Sequence, residues 1–163
     1  MSATQTEIRS VLSELKQFAP TGYAAALHIN FTTPDFLFQT YPADWLAIYS
    51  QQGLVMKDPT VLWGFENLGA VRWSDLSELD HDGVMEAATK YGMKFGLTVA
   101  VEREGTRSIA SMSRGDREFA DAELAHAKDM ISKLHDLTAG ARTLTDETRD
   151  VLRRQSIQFT HPS

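Results

Sequence analysis

The chain has 163 residues, 42% of them hydrophobic and 23% charged, with a formal net charge of −6 and no cysteine. That length fits one domain able to bury about two-thirds of its unfolded surface, while the missing cysteines exclude disulfides and thiolate metal sites and are compatible with a reducing cytoplasm. The negative balance argues against a free-standing nucleic-acid binder, no apolar run reaches the ~18 residues a membrane span needs, and the polar start "MSATQTEIRSVLSELKQF" carries no signal-peptide core.

Ile8, Val11, Leu12, Leu15 and Phe18 recur at helical spacing, which predicts an amphipathic helix over roughly 4–18, stopped by Pro20 and Gly22. "YAAALHINF" and "DFLFQT" read as strands around a "TTPD" turn. "PADWLAIYSQQG" reads as a helix with Pro42 suited to its first turn and Gly53 to its end. "DPTVLWGFENLG" reads as a second helix entered at Asp58-Pro59 and closed by Gly69. "VRWSDL" is short and extended, and "HDGVMEAATKYG" is helical up to Gly92. "FGLTVAVER" and "TRSIASMSR" alternate as strands do and flank Gly105, the pattern of a hairpin. A long helix follows over about 117–139, with Leu124, Ala127, Ile131, Leu134 and Leu137 on one stripe. Strands joined by short turns make an antiparallel sheet, and helices must cover its apolar faces, so the expected class is α+β in layers.

Tyr41, Trp45 and Tyr49 are spaced four apart, so on a helix they share a face. Tyrosine O–H and tryptophan N–H groups are donors on large apolar bodies. Asp58, nine residues beyond Tyr49 and joined to Pro59, is an acceptor when ionised and must find donors if buried. A small molecule carrying carbonyls and an N–H would satisfy all of these groups. A stripe of core aromatics together with an Asp-Pro helix cap accounts for the same residues without any ligand.

The ordered combination Tyr-Pro-x-x-Trp-x-x-x-Tyr at 41–49, Asp58-Pro59, Trp73 and "YGMKFGLTVAVE" resembles the autoinducer-binding domain of LuxR-type quorum-sensing receptors, over residues 5–140. The six positions that mark the family stand here as Trp45, Tyr49, Asp58, Pro59, Trp73 and Gly96. The resemblance implies an α/β/α sandwich with a central five-stranded antiparallel sheet. It also implies an N-acyl homoserine lactone held between sheet and helices, with no catalysis and no cofactor. By resemblance, Trp45 donates to the lactone carbonyl, Asp58 accepts from the amide N–H and Tyr41 donates to the acyl carbonyl. Tyr49 and Trp73 wall the pocket, Gly96 permits close packing, and Thr60 and Ser111 add polar contacts. Leu46, Val61, Phe31 and Phe36 are the expected lining for the acyl chain. Ala100 stands in a segment where relatives carry proline.

Residues 1–140 are thus expected to form the sensing domain and 141–163 a linker with a vestigial start of a DNA-binding domain. "LTDETRDVL" resembles the opening of that domain's first helix, and only eleven residues follow it. Residues 141–163 hold four Arg against three acids, too weak a charge for a phosphate footprint. The sequence is either divided at a domain boundary or naturally ends there; the ending fits a worn remnant better. The expected partners are the lactone, a second copy of the chain through the terminal helices, or a full-length LuxR-type regulator held in a heterodimer with one DNA reader; direct DNA or membrane binding is not expected.

Other constellations carry less. His28, His81, His126, His135 and His161 show no metal-ligand pairing, no G-x-S-x-G elbow is present, and "RGD" at 114–116 reads as a turn. A lactonase or acylase would need a metal cluster or an activated nucleophile, which the sequence does not offer. The third reading is a ligand-free interaction module whose pocket is filled by side chains such as Trp63 and Phe65.

Overall fold

The computed structural model describes residues 3–139. Its elements run α1 (Ala3–Phe18), β1 (Gly22–Asn30), β2 (Thr33–Gln39), α2 (Ala43–Gln51), α3 (Pro59–Glu66), β3 (Gly69–Arg72), α4 (Val84–Thr89), β4 (Phe95–Arg103), β5 (Thr106–Arg114) and α5 (Asp121–Thr138). Two 3₁₀ segments, Leu54–Met56 and Trp73–Leu79, sit between helices and strands. The five strands form one antiparallel sheet in the order β2-β1-β5-β4-β3. The expected linker and remnant at 141–163 lie outside the described residues.

Successive strand residues face opposite sides of the sheet. Tyr23, Ala25, Leu27, Phe36, Phe38, Leu97, Val99, Val101, Ala110 and Met112 are buried on the face covered by α1 and α5. Ile8, Val11 and Leu15 of α1 and Ala127, Ile131 and Leu134 of α5 close that core, at the spacings their sequence predicts. Phe18 stacks on Phe119 at 5.2 Å between ring centres, and His126 reaches Glu14 at 2.7 Å, tying α5 to α1. The other face carries α2, α3, α4 and the two 3₁₀ segments, with a separate cluster of Trp45, Leu54, Trp73, Val84, Ala88 and Met93.

Several boundaries differ from the sequence reading. The β1–β2 turn is Phe31-Thr32, with Asn30 opposite Thr33, so the strand starts before Asp35. α5 begins at Asp121 rather than 117, where the Glu123 carboxylate accepts from the Ala120 N–H at 2.9 Å. "VRWSDL" is extended only to Arg72, and the chain then turns into a 3₁₀ helix. A β-bulge interrupts β1 between Ala26 and Ile29, where His28 adopts a positive φ of 54°.

Candidate functional site

Between the second face of the sheet and its helices lies a cavity of about 280 Å³. Its floor is made of strand residues pointing away from α1 and α5: Ala24, Ala26 and Ile29 of β1, Pro34, Leu37 and Gln39 of β2, Ile109 and Ser111 of β5. Its roof is α2, α3 and α4, which contribute Trp45, Leu46 and Tyr49, then Thr60, Val61 and Phe65, then Val84, Met85 and Ala88.

Trp45 and Tyr49 stand one turn apart on α2, so both reach the cavity. Trp45 is 4% exposed and packs against Tyr49 and Tyr91, with ring centres at 5.9 and 5.4 Å. Tyr41 approaches the backbone of Gly22, where an added Cβ would come within 2.8 Å of Tyr41 Cα. Among the described residues neither the Tyr41 hydroxyl nor the Trp45 indole N–H has a hydrogen-bond partner, and both side chains line the cavity. Two donors are therefore free to meet a guest.

Asp58 is the N-cap of α3, extended at φ −83° and ψ 115°, with Pro59 at the first helical position. Its Oδ1 accepts from the Thr60 backbone N–H at 2.9 Å and the Thr60 hydroxyl at 2.7 Å. Its Oδ2 accepts from the Tyr49 hydroxyl at 2.8 Å. A carboxylate offers about four lone-pair sites. Three are filled here, which leaves one on Oδ2 at the cavity wall. The helix-cap explanation of Asp58 is thus correct, and it coexists with an acceptor left over for a ligand. Burial pushes the Asp58 carboxyl above its ordinary value of 3.8; the hydrogen bonds from Thr60 and Tyr49 oppose the shift, and the charge of Asp80 adds to it. Burial, then the negative charge of Asp58, raises both Tyr41 and Tyr49, so each keeps its proton.

Trp73 opens the 3₁₀ segment after β3, and its indole lies flat over Gly96, where a Cβ would overlap the ring. Its N–H donates to the Thr98 hydroxyl at 3.1 Å, and Thr98 is hydrogen-bonded to Ser111 at 2.7 Å. Trp73 is therefore a wall whose donor is already used, and Ser111 brings the Trp73–Thr98–Ser111 hydrogen-bond relay to the cavity.

Of the sequence-predicted residues, Tyr41, Trp45, Leu46, Tyr49, Asp58, Thr60, Val61, Trp73 and Ser111 line one cavity. Pro59 and Gly96 support it from behind. Two expected lining residues do not reach it. Phe31 is 98% exposed in the β1–β2 turn, with a positive φ of 57° that takes it out of the strand. Phe36 is 1% exposed but lies on the α1/α5 side of β2; its neighbour Leu37 takes the cavity side. The sequence reading missed Thr98, Met93, Ala88 and Ile109. Thr98 was accessible to it, because a hairpin closed at Gly105 puts Thr98 opposite Ser111. Among the described residues no cluster of side chains could hold a metal ion, and no helix is long and apolar enough to cross a membrane.

The sequence model of the autoinducer binding domain matches residues 18–139. No curated protein matches the chain in sequence. Solved structures share the fold. SdiA in complex with octanoyl-rac-glycerol is 17% identical, with a TM-score of 0.65 over 94% of this chain and 70% of that one. A crystal structure of Escherichia coli SdiA in space group P6522 is 20% identical, with a TM-score of 0.63 over 94% of this chain and 72% of that one. CepR2 from Burkholderia cenocepacia, an N-acylhomoserine lactone dependent LuxR family transcription factor, is 16% identical, with a TM-score of 0.55 over 84% and 93%.

Proposed function

The chain belongs to the autoinducer-binding domain family of LuxR-type receptors, which are signal sensors and not enzymes, and from that membership we propose that its cavity binds an N-acyl homoserine lactone. The observation that carries the reading is the open lone pair of Asp58 Oδ2 beside the unused donors of Trp45 and Tyr41. A lactone of this class has two carbonyls, one amide N–H and an apolar tail. Its N–H suits Asp58, its ring carbonyl suits Trp45, and its acyl carbonyl suits Tyr41 and the Ser111 hydroxyl. The apolar side chains between Leu37, Val61 and Ile109 suit the tail.

A monoacylglycerol, the class bound in one SdiA structure, offers Asp58 a hydroxyl in place of the N–H and competes for the same groups. The ligand-free interaction module is opposed by the cavity, which side chains do not fill. Pairing with a second copy or with a full-length LuxR-type regulator, in the cytoplasm, belongs to the same proposal; a full-length relative whose operator binding is untouched by this chain would remove the heterodimer.

The deciding experiment adds lactones and monoacylglycerols to the purified protein and reads the melting temperature and the fate of the ligand. Binding to the folded state alone raises stability by mass action. A rise with intact lactone recovered stoichiometrically supports the sensor; turnover of the lactone, or no rise with any lactone, overturns it.

A further inference from the structure

The cavity is not the same at its two ends. Along the sheet its floor can be followed in register. Ser111 lies opposite Thr98 on one side and Ala24 on the other, and Ala24 lies opposite Gln39. Two residues further on, Ile109 lies between Ala100 and Ala26, and Ala26 pairs with Leu37. At the next step beyond the bulge, Ile29 pairs with Arg107 and with Pro34. The floor therefore passes from the hydroxyl and amide groups of Ser111 and Gln39 to the aliphatic Ile109, Ala26, Leu37, Ile29 and Pro34, with Arg107 beside them at the far end, over four residues of β5, roughly 13 Å at the rise of a strand.

Burial follows the same axis. The polar end is closed by Trp45, Thr60, Trp73, Val84, Ala88 and Met93, all buried. Three other lining residues are open to solvent: Phe65, beside Gly64 over Ile109, is 42% exposed, Thr32 in the β1–β2 turn is exposed, and Val55 is 47% exposed. These residues contact the cavity and solvent at once, so they form its mouth. The stretch that carries Phe65 is held by Arg107, which donates to the Gly64 carbonyl at 2.6 Å and the Asn67 carbonyl at 2.9 Å. That clamp holds the end of α3 over Ile109, where Gly64 packs with no room for a Cβ. Phe65, next to Gly64, lines the cavity together with Thr32 and Pro34 of the β1–β2 hairpin.

We propose that the acyl tail runs from the Ser111 level towards the hairpin tip and leaves the cavity between Pro34 and Phe65, so that this site selects the head group and does not cap the tail length. The inference rests on the lactone reading above. A closed pocket rejects a tail longer than itself, because extra methylenes overpack it. An open one lets the surplus lie in the mouth, against Val55 and Phe65, or in water.

The test is a series of homoserine lactones from butanoyl to tetradecanoyl, titrated by calorimetry against the full chain. Within the cavity each CH₂ is expected to tighten binding about fourfold, from ~0.8 kcal/mol per CH₂ at ~1.4 kcal/mol per decade. Affinity should then level off for the longest tails. A sharp optimum followed by a tenfold or greater loss would mean a closed end and would overturn the proposal. A lactone carrying a fluorophore at the tail terminus gives a second readout: it is expected to bind and to be quenched by iodide as it is in free solution. Protection from iodide, or exclusion of the tagged lactone while the untagged one binds, also overturns the proposal. In Thr32→Trp, where bulk is added at the rim, the tetradecanoyl-to-hexanoyl affinity ratio should fall tenfold or more; an unchanged ratio would put the exit elsewhere. Absence of binding across the whole series would instead sink the lactone reading, and this proposal with it.

Discussion

The Tyr49 hydroxyl donates to Asp58 Oδ2 at 2.8 Å, linking α2 to the N-cap of α3 across the wall of the cavity. Tyr49 thereby uses its donor within the protein and holds the Asp58 carboxylate at the cavity wall. A ligand N–H to the remaining lone pair is a bond to a charged group, worth about 1.5–3 kcal/mol. Asp58→Asn is therefore expected to weaken lactone binding about 10- to 100-fold, read by titration calorimetry. An affinity unchanged within threefold would remove Asp58 from the site.

The same substitution should behave differently without ligand. Burial raises the Asp58 carboxyl above its ordinary 3.8 in the folded chain. The folded state then holds its proton longer than the unfolded state. Between the unfolded and folded values, stability falls as pH rises, and the cost is complete above the folded value. Asparagine keeps an acceptor for the Thr60 N–H and carries no charge. Unfolding in urea at stepped pH should show the wild type losing stability relative to Asp58→Asn as pH climbs above 3.8. A variant that is less stable than the wild type at neutral pH, with no pH dependence in the difference, would contradict this account.

Gly96 and Trp73 make a second coupled pair. The indole lies where a Cβ at position 96 would stand, so Gly96→Ala must push the ring into the cavity or strain β4. Overpacking of this kind costs roughly 1–3 kcal/mol. Trp73→Leu empties that space and loses the bond to Thr98. The double variant should therefore lose less stability than the two single variants added together. Strict additivity in a double-mutant cycle would show that the two residues do not compete for space.

Much of this was legible in the chain, and the failures have a common cause. β4 and β5 run over the expected residues because both alternate cleanly and Gly105 fixes their turn. That Trp45 and Tyr49 share a face and that Asp58 caps a helix could be read from the chain because helical spacing and a helix cap are local properties. Phe31 and Phe36 were misplaced because β2 is apolar on both faces, which erases the alternation that tells in from out. The bulge at His28 compounds this, since one extra residue reverses the phase beyond it. The 3₁₀ segment that delivers Trp73 had no periodicity to announce it, as its seven residues make little more than two turns of such a helix.

The donors of Trp45 and Tyr41 can be removed with little change in shape. Trp45→Phe keeps most of the packing against Tyr91 and loses the indole N–H. Tyr41→Phe loses only the hydroxyl, which has no partner among the described residues. Each neutral hydrogen bond to ligand is worth about 0.5–1.5 kcal/mol net, so each variant should bind lactone about 3- to 10-fold more weakly. The melting temperature of unliganded Tyr41→Phe should stay close to that of the wild type, because nothing in the protein loses a bond. A large drop there would show that the hydroxyl is used within the fold.

His28 and His135 lie in contact on the opposite face, with ring centres 4.2 Å apart. His28 Nε2 meets the His135 carbonyl at 2.9 Å, which makes it the protonated nitrogen, and its Nδ1 then accepts from Thr106 at 2.8 Å. His135 Nδ1 meets Ser108 Oγ at 2.6 Å, and Ser108 in turn accepts from the His28 backbone N–H at 3.0 Å. Burial, followed by the neighbouring His28, lowers the His135 value below 6.5; the Arg103 carbonyl and Asp136 oppose this, while the Arg103 guanidinium adds to it. A base with a depressed folded value binds its proton more readily when unfolded. Its stabilisation is full above 6.5 and is lost as pH falls from 6.5 towards the lower folded value. His135→Gln should be less stable than the wild type at pH 8, and the gap should narrow as pH drops below 6.5. Hydrogen exchange in the last turn of α5 should quicken over the same interval in the wild type, since Thr138 also meets His28 at 3.0 Å. A stability gap that stays constant from pH 8 to pH 5 would show that His135 does not titrate as a folding-linked group.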